Sequence, residues 1–546
     1  MAKCRLQQLS TFTGETQHCG TGDPARERAD LFAIRQIGSR LSNALRRNFE
    51  IAVVVVLAMC LYSAFMSTSF GEQDGINFAL ALSRYDVFAH RPHPPGYPVF
   101  VFVSSIIYRV TQNPLVSLTS VSALSGALTL IPTYAIAKRL FNREIALFSV
   151  LALLVAPGFW LVSEQAVSDM FFTMLLTLAM SQLLVGRQSK VHLYASWATL
   201  GFALGVRPFN LVFIIPFLTE TSRVARRRDV FYCVLILLSA LLLAFLPAVL
   251  LTGYQRFAAA TFDQLTRHLN DDVNPFAISP IERIAFLLLT LANGLGANFS
   301  FSVLSFYPFA SSSIHAQLTM VMLLFLPAAG LLSLKRLRDY SKALFMLSWV
   351  VPYLTFVYLL GTPGYTRYMT PIIPPILIGL TASAFYTGHI LLSRVQAPSI
   401  TINLRRVVQY SIILFFAANL FLTSLPLAAM VHTEPAANVQ LVSFVHSNYD
   451  PATTIIIVFH EFRAFQFYGA EYRYIHCCHI AQESVGIIVN SVSSSDTVLI
   501  TSSALAALQR YGVALTTVKV AEFSRSPLVN FEDASVTLYH VVDVMK

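Results

Sequence analysis

IAVVVVLAMCLYSAFMSTS, residues 51–69, runs straight into FGEQDGINFALALSRYDVFAHRPHPPGYPVF, residues 70–100. The first stretch is long enough to cross about 30 Å of hydrocarbon as a helix. The second places Glu72 and Asp74 just past that helix, at a depth where a carboxylate is only partly solvated. Apolar positions at helical spacing follow (Ile76, Phe78, Ala79, Leu82, Val87, Phe88), which predicts an amphipathic helix in the membrane interface over 76–89. His90-Arg-Pro-His93-Pro-Pro-Gly-Tyr-Pro98 reads as a rigid turn, and 99–111 as a second interfacial helix.

The rest of the chain agrees with a membrane setting. Of 546 residues, 55% are hydrophobic and 12% charged, and the mean hydropathy is +0.62. A soluble domain carries about a quarter charged residues, so an ordinary cytosolic enzyme is excluded. The formal charge of +10 would elsewhere suggest a nucleic-acid partner. Here the cations cluster between apolar runs, as they do when a membrane protein records its orientation, so lipid and no nucleic acid is expected. Six Cys are too few and too scattered for a disulfide framework.

Apolar segments at 51–69, 115–137, 145–162, 170–186, 192–206, 208–219, 230–251, 316–334, 343–360, 371–392 and 407–429 predict an α-helical polytopic membrane protein of about eleven spans. With the N-terminus inside, the basic clusters all fall on the cytoplasmic side: Lys138, Arg139 and Arg143, then Arg187 and Lys190, Arg223 and Arg226 to Arg228, Lys335, Arg336 and Arg338, and Arg394, Arg405 and Arg406. Residues 1–50 are polar and basic and read as a cytoplasmic tail, with a short interfacial helix open over 29–47. That leader is too long for a cleaved signal peptide, so 51–69 is read as a signal anchor. The pair 192–206 and 208–219 is broken at Arg207-Pro208 and reads as tilted or partly re-entrant. The run 284–297 is short and Gly-rich and is placed in the outer interface. Beyond about 430, TTIIIVF, VGIIVN, DTVLITS and VTLYHVV are short β-branched runs between polar turns. The expected organisation is a tail over 1–50, a transmembrane domain over 51–430 with an outer loop at 70–113, and a small extracytoplasmic α/β domain over 431–546.

Outward-facing segments carry the unusual polar residues. Asp74 reads as a functional acid, a solvated loop acid or a cap for the helix that follows. Asp169, in Ser163-Glu164-Gln-Ala-Val-Ser-Asp169, reads equally as a cap of 170–186 or a functional acid at the mouth of its span. Arg207, in Gly205-Val-Arg-Pro-Phe, and Arg367, in Gly361-Thr-Pro-Gly-Tyr-Thr-Arg-Tyr368, run against the usual charge bias. A guanidinium beside Tyr can hold a phosphate through paired hydrogen bonds, or it can snorkel to lipid headgroups. Together the residues bring acids and arginines to one membrane surface. There a carboxylate could take a proton from an acceptor nucleophile while cations stabilise a departing phosphate. His476-Cys477-Cys478-His479 reads as tandem cysteines in a strand rather than a zinc site, because adjacent strand residues point to opposite faces.

In order along the chain, the acid after the first span, the His-Pro-Pro-Gly-Tyr-Pro turn between two interfacial helices, Lys-Arg-Leu-Phe ending the second span, Ser-Glu-x-x-x-x-Asp, Gly-x-Arg-Pro and Arg-Tyr-x-x-Pro resemble the membrane glycosyltransferases of the GT-C superfamily. The protein O-mannosyltransferase and lipid A aminoarabinose transferase-like branch (glycosyltransferase family 39-like) is the nearest in layout, over about 50–430. The resemblance implies an inverting glycosyltransferase that moves a hexosyl or pentosyl group from a polyprenyl-phosphate-linked sugar to a glycan, lipid or protein acceptor. It implies work on the outer face of a bacterial inner membrane. It assigns Asp74 as catalytic base, Glu72, His93 and Asp169 to the acceptor and donor cavity, and Arg207, Arg367 and Tyr368 to the carrier phosphate. Many members have Glu directly after the first acid, whereas this chain has Gly75, with Glu72 two residues before Asp74, so the choice of base between the two stays open. No cofactor is certain and a divalent metal ion is left open. Two other readings compete: a secondary transporter with broken helices near Pro208 and Pro371, and a non-catalytic envelope assembly partner.

Overall fold

The structure, a computed structural model, describes residues 49–267, 279–296, 300–302, 305–309, 317–319, 321–323, 325, 340–361, 365–392, 398–477, 497–510, 512–526, 528–529 and 534–545. The N-terminal tail, most of the segment 316–334, the loop cations Lys335, Arg336, Arg338 and Arg394, the run VGIIVN, and Cys478 and His479 lie outside them. The chain divides by contacts into Met1–Ala52 and Val53–Lys546. All that follows concerns the second unit.

Among the described residues, six helices are long and apolar enough to cross a membrane, or seven if one bent pair counts as a single span. The first apolar stretch forms α1, Phe49–Ala64, shorter than the expected 51–69. It stops because Ser67, Thr68 and Ser69 bond the backbone through their side chains. Ser67 donates to the Ser69 carbonyl at 2.6 Å and Thr68 to the His432 carbonyl at 2.8 Å. The helix expected over 76–89 is two pieces: α2, Gln73–Ser83, and a 3-10 turn at Val87–Ala89. Asp86 divides them by capping the turn, its carboxylate accepting from the Phe88 and Ala89 amides.

α3 (Pro98–Thr111) and α4 (Pro114–Leu140) follow. The run 145–162 is not one straight helix. It breaks into α5, Arg143–Leu154, and α6, Pro157–Ser163, bent by 60°. Pro157 cannot donate a backbone hydrogen bond, so the break frees carbonyls that need partners away from water. Tyr62 donates to Leu154 O at 2.9 Å and Ser424 to Val155 O at 2.7 Å.

α7 (Asp169–Gly186), α8 (Lys190–Val206), a 3-10 segment at Pro208–Phe213, α9 (Ile214–Val224), α10 (Arg227–Thr252) and α11 (Tyr254–Arg267) continue the bundle. α12, Pro280–Gly294, covers the uncertain run near 284–297 and opens with a capping box between Ser279 and Glu282. α13 (Tyr340–Leu360), a 3-10 segment (Thr366–Ile372), α14 (Ile373–Leu392) and the long α15 (Pro398–Thr433) complete it.

Gly158 in α6 meets the backbone of Gly294 in α12. A Cβ at Gly158 would lie 2.7 Å from the Gly294 Cα and carbonyl oxygen. Backbone cannot move aside as a side-chain tip can, so Gly158→Ala should lower stability by about 1–3 kcal/mol, read as thermal unfolding in detergent. An unchanged transition would mean that the two helices separate freely.

Past α15, α16 (Ala437–Asn448), α17 (Phe462–Tyr468) and α18 (Ser502–Arg510) accompany a sheet. Its strands are β3 (Thr454–Val458), β4 (Arg473–His476), β5 (Thr497–Thr501), β6 (Ala514–Ser524) and β7 (Ser535–Met545), ordered β4-β3-β5-β7-β6. The separate β1 (Ser300–Ser302) and β2 (Ser305–Phe309) form a two-stranded ribbon. β3 is parallel to β4 and β5, and every residue of Thr454–Val458 is buried, as suits a strand covered on both faces. Cys477 packs in this core with Ile457, Val498 and Ile500, and His476 stacks on Phe462 with ring centroids 3.9 Å apart.

The sheet domain grips the start of α2. The Tyr468 hydroxyl accepts from Phe70 N at 3.3 Å, Gln73 Nε2 donates to His460 O at 2.8 Å, and Phe467 packs edge-on against Phe70. His432, at the end of α15, meets Met66 O at 2.7 Å through Nδ1. The short segment bearing Glu72 and Asp74 is therefore held from both sides.

Candidate active site

Each residue singled out at the membrane surface sits where regular backbone begins or breaks. Asp74 is in the first turn of α2, and Asp169 is the first residue of α7. Neither acts as a cap: the N-cap positions are Glu72 and Ser168, and neither makes a side-chain capping bond. Arg207 is the residue before Pro208 and takes the extended backbone that a following proline imposes (φ −134°, ψ 88°), which ends α8 there. Arg367 lies in the 3-10 segment ending near Pro371. Irregular backbone at membrane depth is tolerated where it lines a cavity.

These breaks bring five ionisable side chains together. Arg367 is the hub. Its Nη1 pairs with Glu72 Oε2 at 2.7 Å, and its Nη2 donates to Asp74 Oδ2 at 2.7 Å. Nη1 also lies 3.9 Å from Asp169 Oδ2. Arg207 pairs with the same Asp169 oxygen at 2.5 Å. Both guanidinia face the Tyr368 ring at 5.6 Å, and Arg367 also faces Tyr365 at 5.4 Å. His93 Nε2 is 3.4 Å from Asp74 Oδ1, with its ring against Phe78 and Tyr97. The arginines therefore turn inward to carboxylates and do not snorkel. Arg367 is 9% exposed and Asp169 1%.

The turn carrying His93 needs its glycine. Gly96 has φ +104°, and a Cβ there would sit 2.5 Å from the Tyr85 hydroxyl, which donates to the Gly96 carbonyl. The adjacent Tyr97 also takes positive φ, at 45°.

Burial pushes the Asp74 carboxyl up, but His93, then Arg367 by charge and hydrogen bond, then Arg207 outweigh it and hold it well below the usual carboxylate range. Burial lowers the His93 imidazole against the pull of Asp74, so it is neutral near pH 7. A lowered acid contributes stability that is complete above its unfolded value of about 3.9 and is lost only as pH falls through the lower folded value. The difference in unfolding temperature between wild type and Asp74→Asn should therefore be flat above about pH 5 and shrink below about pH 4. A difference that instead varied between pH 5 and 7 would show that Asp74 is not held by these arginines.

Two cavities flank Arg367. The larger, about 310 Å³, is lined by Asp74, His93, Tyr97, Arg207, Tyr365, Arg367 and Tyr368 on one side and by the apolar Phe356, Val357 and Leu360 of α13 on the other. The smaller, about 40 Å³, touches Glu72, Gln165, Asn293, Thr366 and Arg367, with Leu528 and Val529 of the sheet domain closing it. A polar end beside an apolar wall suits an amphiphile with an anionic head.

Tyr97, Tyr365, Gln165 and Asn293 were not among the residues the sequence singled out. Tyr365 had a signal: with Tyr368 it brackets Arg367 at i and i+3, and the two rings stack 5.3 Å apart. Gln165 and Asn293 have none, being ordinary amides in separate segments. Among the described residues, no three or more His, Cys, Asp or Glu side chains are grouped to hold a metal ion. The cluster's own acids are interleaved with guanidinia, and no step is assigned to a metal.

Residues 92–254 match the family described as dolichyl-phosphate-mannose-protein mannosyltransferase. Comparison with curated proteins gives no match. Among solved structures, the chain is similar to ArnT from Cupriavidus metallidurans bound to undecaprenyl phosphate, with 13% identity and a TM-score of 0.56 over 90% of this chain and 98% of that one. It is similar to the Archaeoglobus fulgidus oligosaccharyltransferase tethered with an acceptor peptide, with 12% identity and a TM-score of 0.52 over 84% and 69% of the two chains. The same archaeal enzyme, AglB, in complex with an inhibitory peptide and a dolichol-phosphate, gives 12% identity and a TM-score of 0.52 over 84% and 70%. At such low identity the likeness speaks for the fold, and it spans the helical bundle and the sheet domain together. In fold, this chain is a polytopic helical membrane protein of the GT-C superfamily.

Proposed function

We propose that the chain is an inverting glycosyltransferase that takes its sugar from a polyprenyl-phosphate carrier. The observation that carries this is Arg367 bonded to Asp74 and Glu72 at the polar end of a half-apolar cavity. Carrier phosphates bound to ArnT and to AglB support the donor class.

In the ligand-free cluster three carboxylates (Glu72, Asp74, Asp169) face two guanidinia, so every arginine is neutralised. A donor phosphate entering the larger cavity would compete with Asp74 for Arg367 Nη2 and for Arg207. Released from that hydrogen bond, Asp74 becomes a stronger base where the acceptor hydroxyl must lose its proton. The acceptor oxygen then attacks the anomeric carbon from the face opposite the phosphate. The new carbon–oxygen bond forms as the sugar–phosphate bond breaks, the proton passes to Asp74, and the electron pair leaves on the phosphate. Phosphate leaves readily without a general acid, and the two guanidinia stabilise its charge. His93, neutral and against Asp74, holds that carboxylate in place. Glu72 keeps the other guanidinium nitrogen occupied and faces the smaller cavity, which on this reading admits the acceptor.

The reading includes a membrane domain over 51–430, a domain over 431–546 on the acceptor side, and the site on the outer face. The cations at the far ends of α4 and α7 favour that orientation. The sugar is a hexosyl or pentosyl group, and the acceptor a glycan, lipid or protein. The direct test is comparison of membrane glycolipids and glycoproteins with and without the gene, followed by transfer from a polyprenyl-phosphate sugar by the purified protein. Loss of one sugar from one product is expected; identical profiles together with no transfer from any carrier-linked sugar would defeat the assignment. Arg207→Gln should raise the donor KM more than it lowers kcat. An effect confined to the acceptor KM would remove Arg207 from the phosphate site.

A further inference from the structure

The end of the bundle opposite the acid–arginine cluster holds another cavity, about 380 Å³, that transfer does not use. α7 joins the two places. Asp169 opens this 18-residue helix at the cluster and Arg187 follows its last residue, about 27 Å away at the helical rise.

Cations from three helix ends line this cavity. Arg139 comes from the last turn of α4, Arg187 from the end of α7, and Lys342 from the first turn of α13, with Leu140 and Leu184 as an apolar wall. Arg139 is exposed and donates to the neutral Gln188 amide at 2.7 Å. Arg187 shares one buried carboxylate, Glu220, with Arg223, at 2.6 and 2.7 Å. Lys342 stands over the Phe141 ring at 5.9 Å. Cations that only mark orientation can each extend separately into water. These converge on one concave site at a helix-end depth, beside apolar side chains.

We propose that this cavity binds a phosphate oxyanion, and that its source is the headgroup of an anionic membrane lipid whose chains run along the Leu140 and Leu184 side. Basic pockets between the ends of membrane helices suit such headgroups. Arg139 supplies paired hydrogen bonds from its free guanidinium edge, Lys342 a point charge, and Arg187 a guanidinium already fixed by Glu220.

The test uses the full-length protein in detergent. It is titrated with phosphatidylglycerol, phosphatidylcholine or inorganic phosphate, with bound lipid read by native mass spectrometry and stabilisation by thermal unfolding. Arg187 is left alone, since its loss would strand Glu220. Phosphatidylglycerol should bind and stabilise where phosphatidylcholine does not, and Arg139→Gln with Lys342→Gln should weaken it by roughly tenfold or more. Arg139→Gln alone, at an exposed position, should weaken it several-fold and decides the matter if the double variant does not fold. Arg139→Lys should retain most binding. Stabilisation by inorganic phosphate with none by phosphatidylglycerol would overturn the lipid source. Wild-type binding by the variants would overturn the site.

Discussion

Asp74→Asn should abolish sugar transfer, by about 10²- to 10⁴-fold, while the protein stays folded in the membrane. The substitution keeps the size of the side chain and an oxygen to accept from Arg367, but removes the group that takes the acceptor's proton. Folding should survive because the cluster holds one more carboxylate than guanidinium, so losing one negative charge leaves Glu72 and Asp169 with Arg367 and Arg207. The measurement is transfer from a labelled polyprenyl-phosphate sugar beside a thermal unfolding curve. Near-wild-type transfer by a folded Asp74→Asn protein would transfer the role of base elsewhere, with Glu72→Gln the next variant to assay. Loss of both activity and fold would make Asp74 structural.

Arg367→Gln is expected to do something different: lose transfer and lose stability together. Its guanidinium is the shared partner of two acids, and removing one side of a buried ion pair costs about 3–5 kcal/mol because the remaining charges stay desolvated. Combining Arg367→Gln with Glu72→Gln should recover much of that stability without recovering transfer, since the unpaired charge goes but the phosphate contact does not return. Arg367→Lys should fold better than Arg367→Gln yet bind donor weakly, because an ammonium cannot reach Glu72 and Asp74 or two phosphate oxygens as a planar fork does. Unfolding curves and binding of polyprenyl phosphate to the four proteins separate the effects. An Arg367→Gln protein as stable as wild type would show that the buried pairs contribute nothing to the fold.

Much of the fold was legible in the sequence because the bilayer reads hydropathy along short windows. α4, α7, α10 and α13 lie close to their apolar runs, and the sheet strands β3, β5 and β7 coincide with TTIIIVF, DTVLITS and VTLYHVV. What escaped were local interruptions within apolar runs. The α5–α6 bend passes unnoticed because Ala156-Pro157 sits in a run that is apolar on both sides, and its freed carbonyls are satisfied by Tyr62 and Ser424, far away in the chain. Asp86 ends an otherwise helical pattern by capping the next turn, which hydrophobic periodicity cannot register. The His-Cys-Cys-His run looked chemical, yet Cys477 faces the domain core and His476 an aromatic ring.

For the site, residue type and order along the chain were enough to single out Glu72, Asp74, His93, Asp169, Arg207, Arg367 and Tyr368, because a charged group at a membrane surface is costly wherever it has no task or partner. Only the folded structure decided who meets whom. Arg367 joins Asp74 across 293 positions of sequence, and Arg207 rather than a helix end holds Asp169. Hydropathy is a property of each segment alone and so survives in the sequence. An ion pair depends on where two distant helix breaks come to rest, and that is fixed by the packing of all the helices between them.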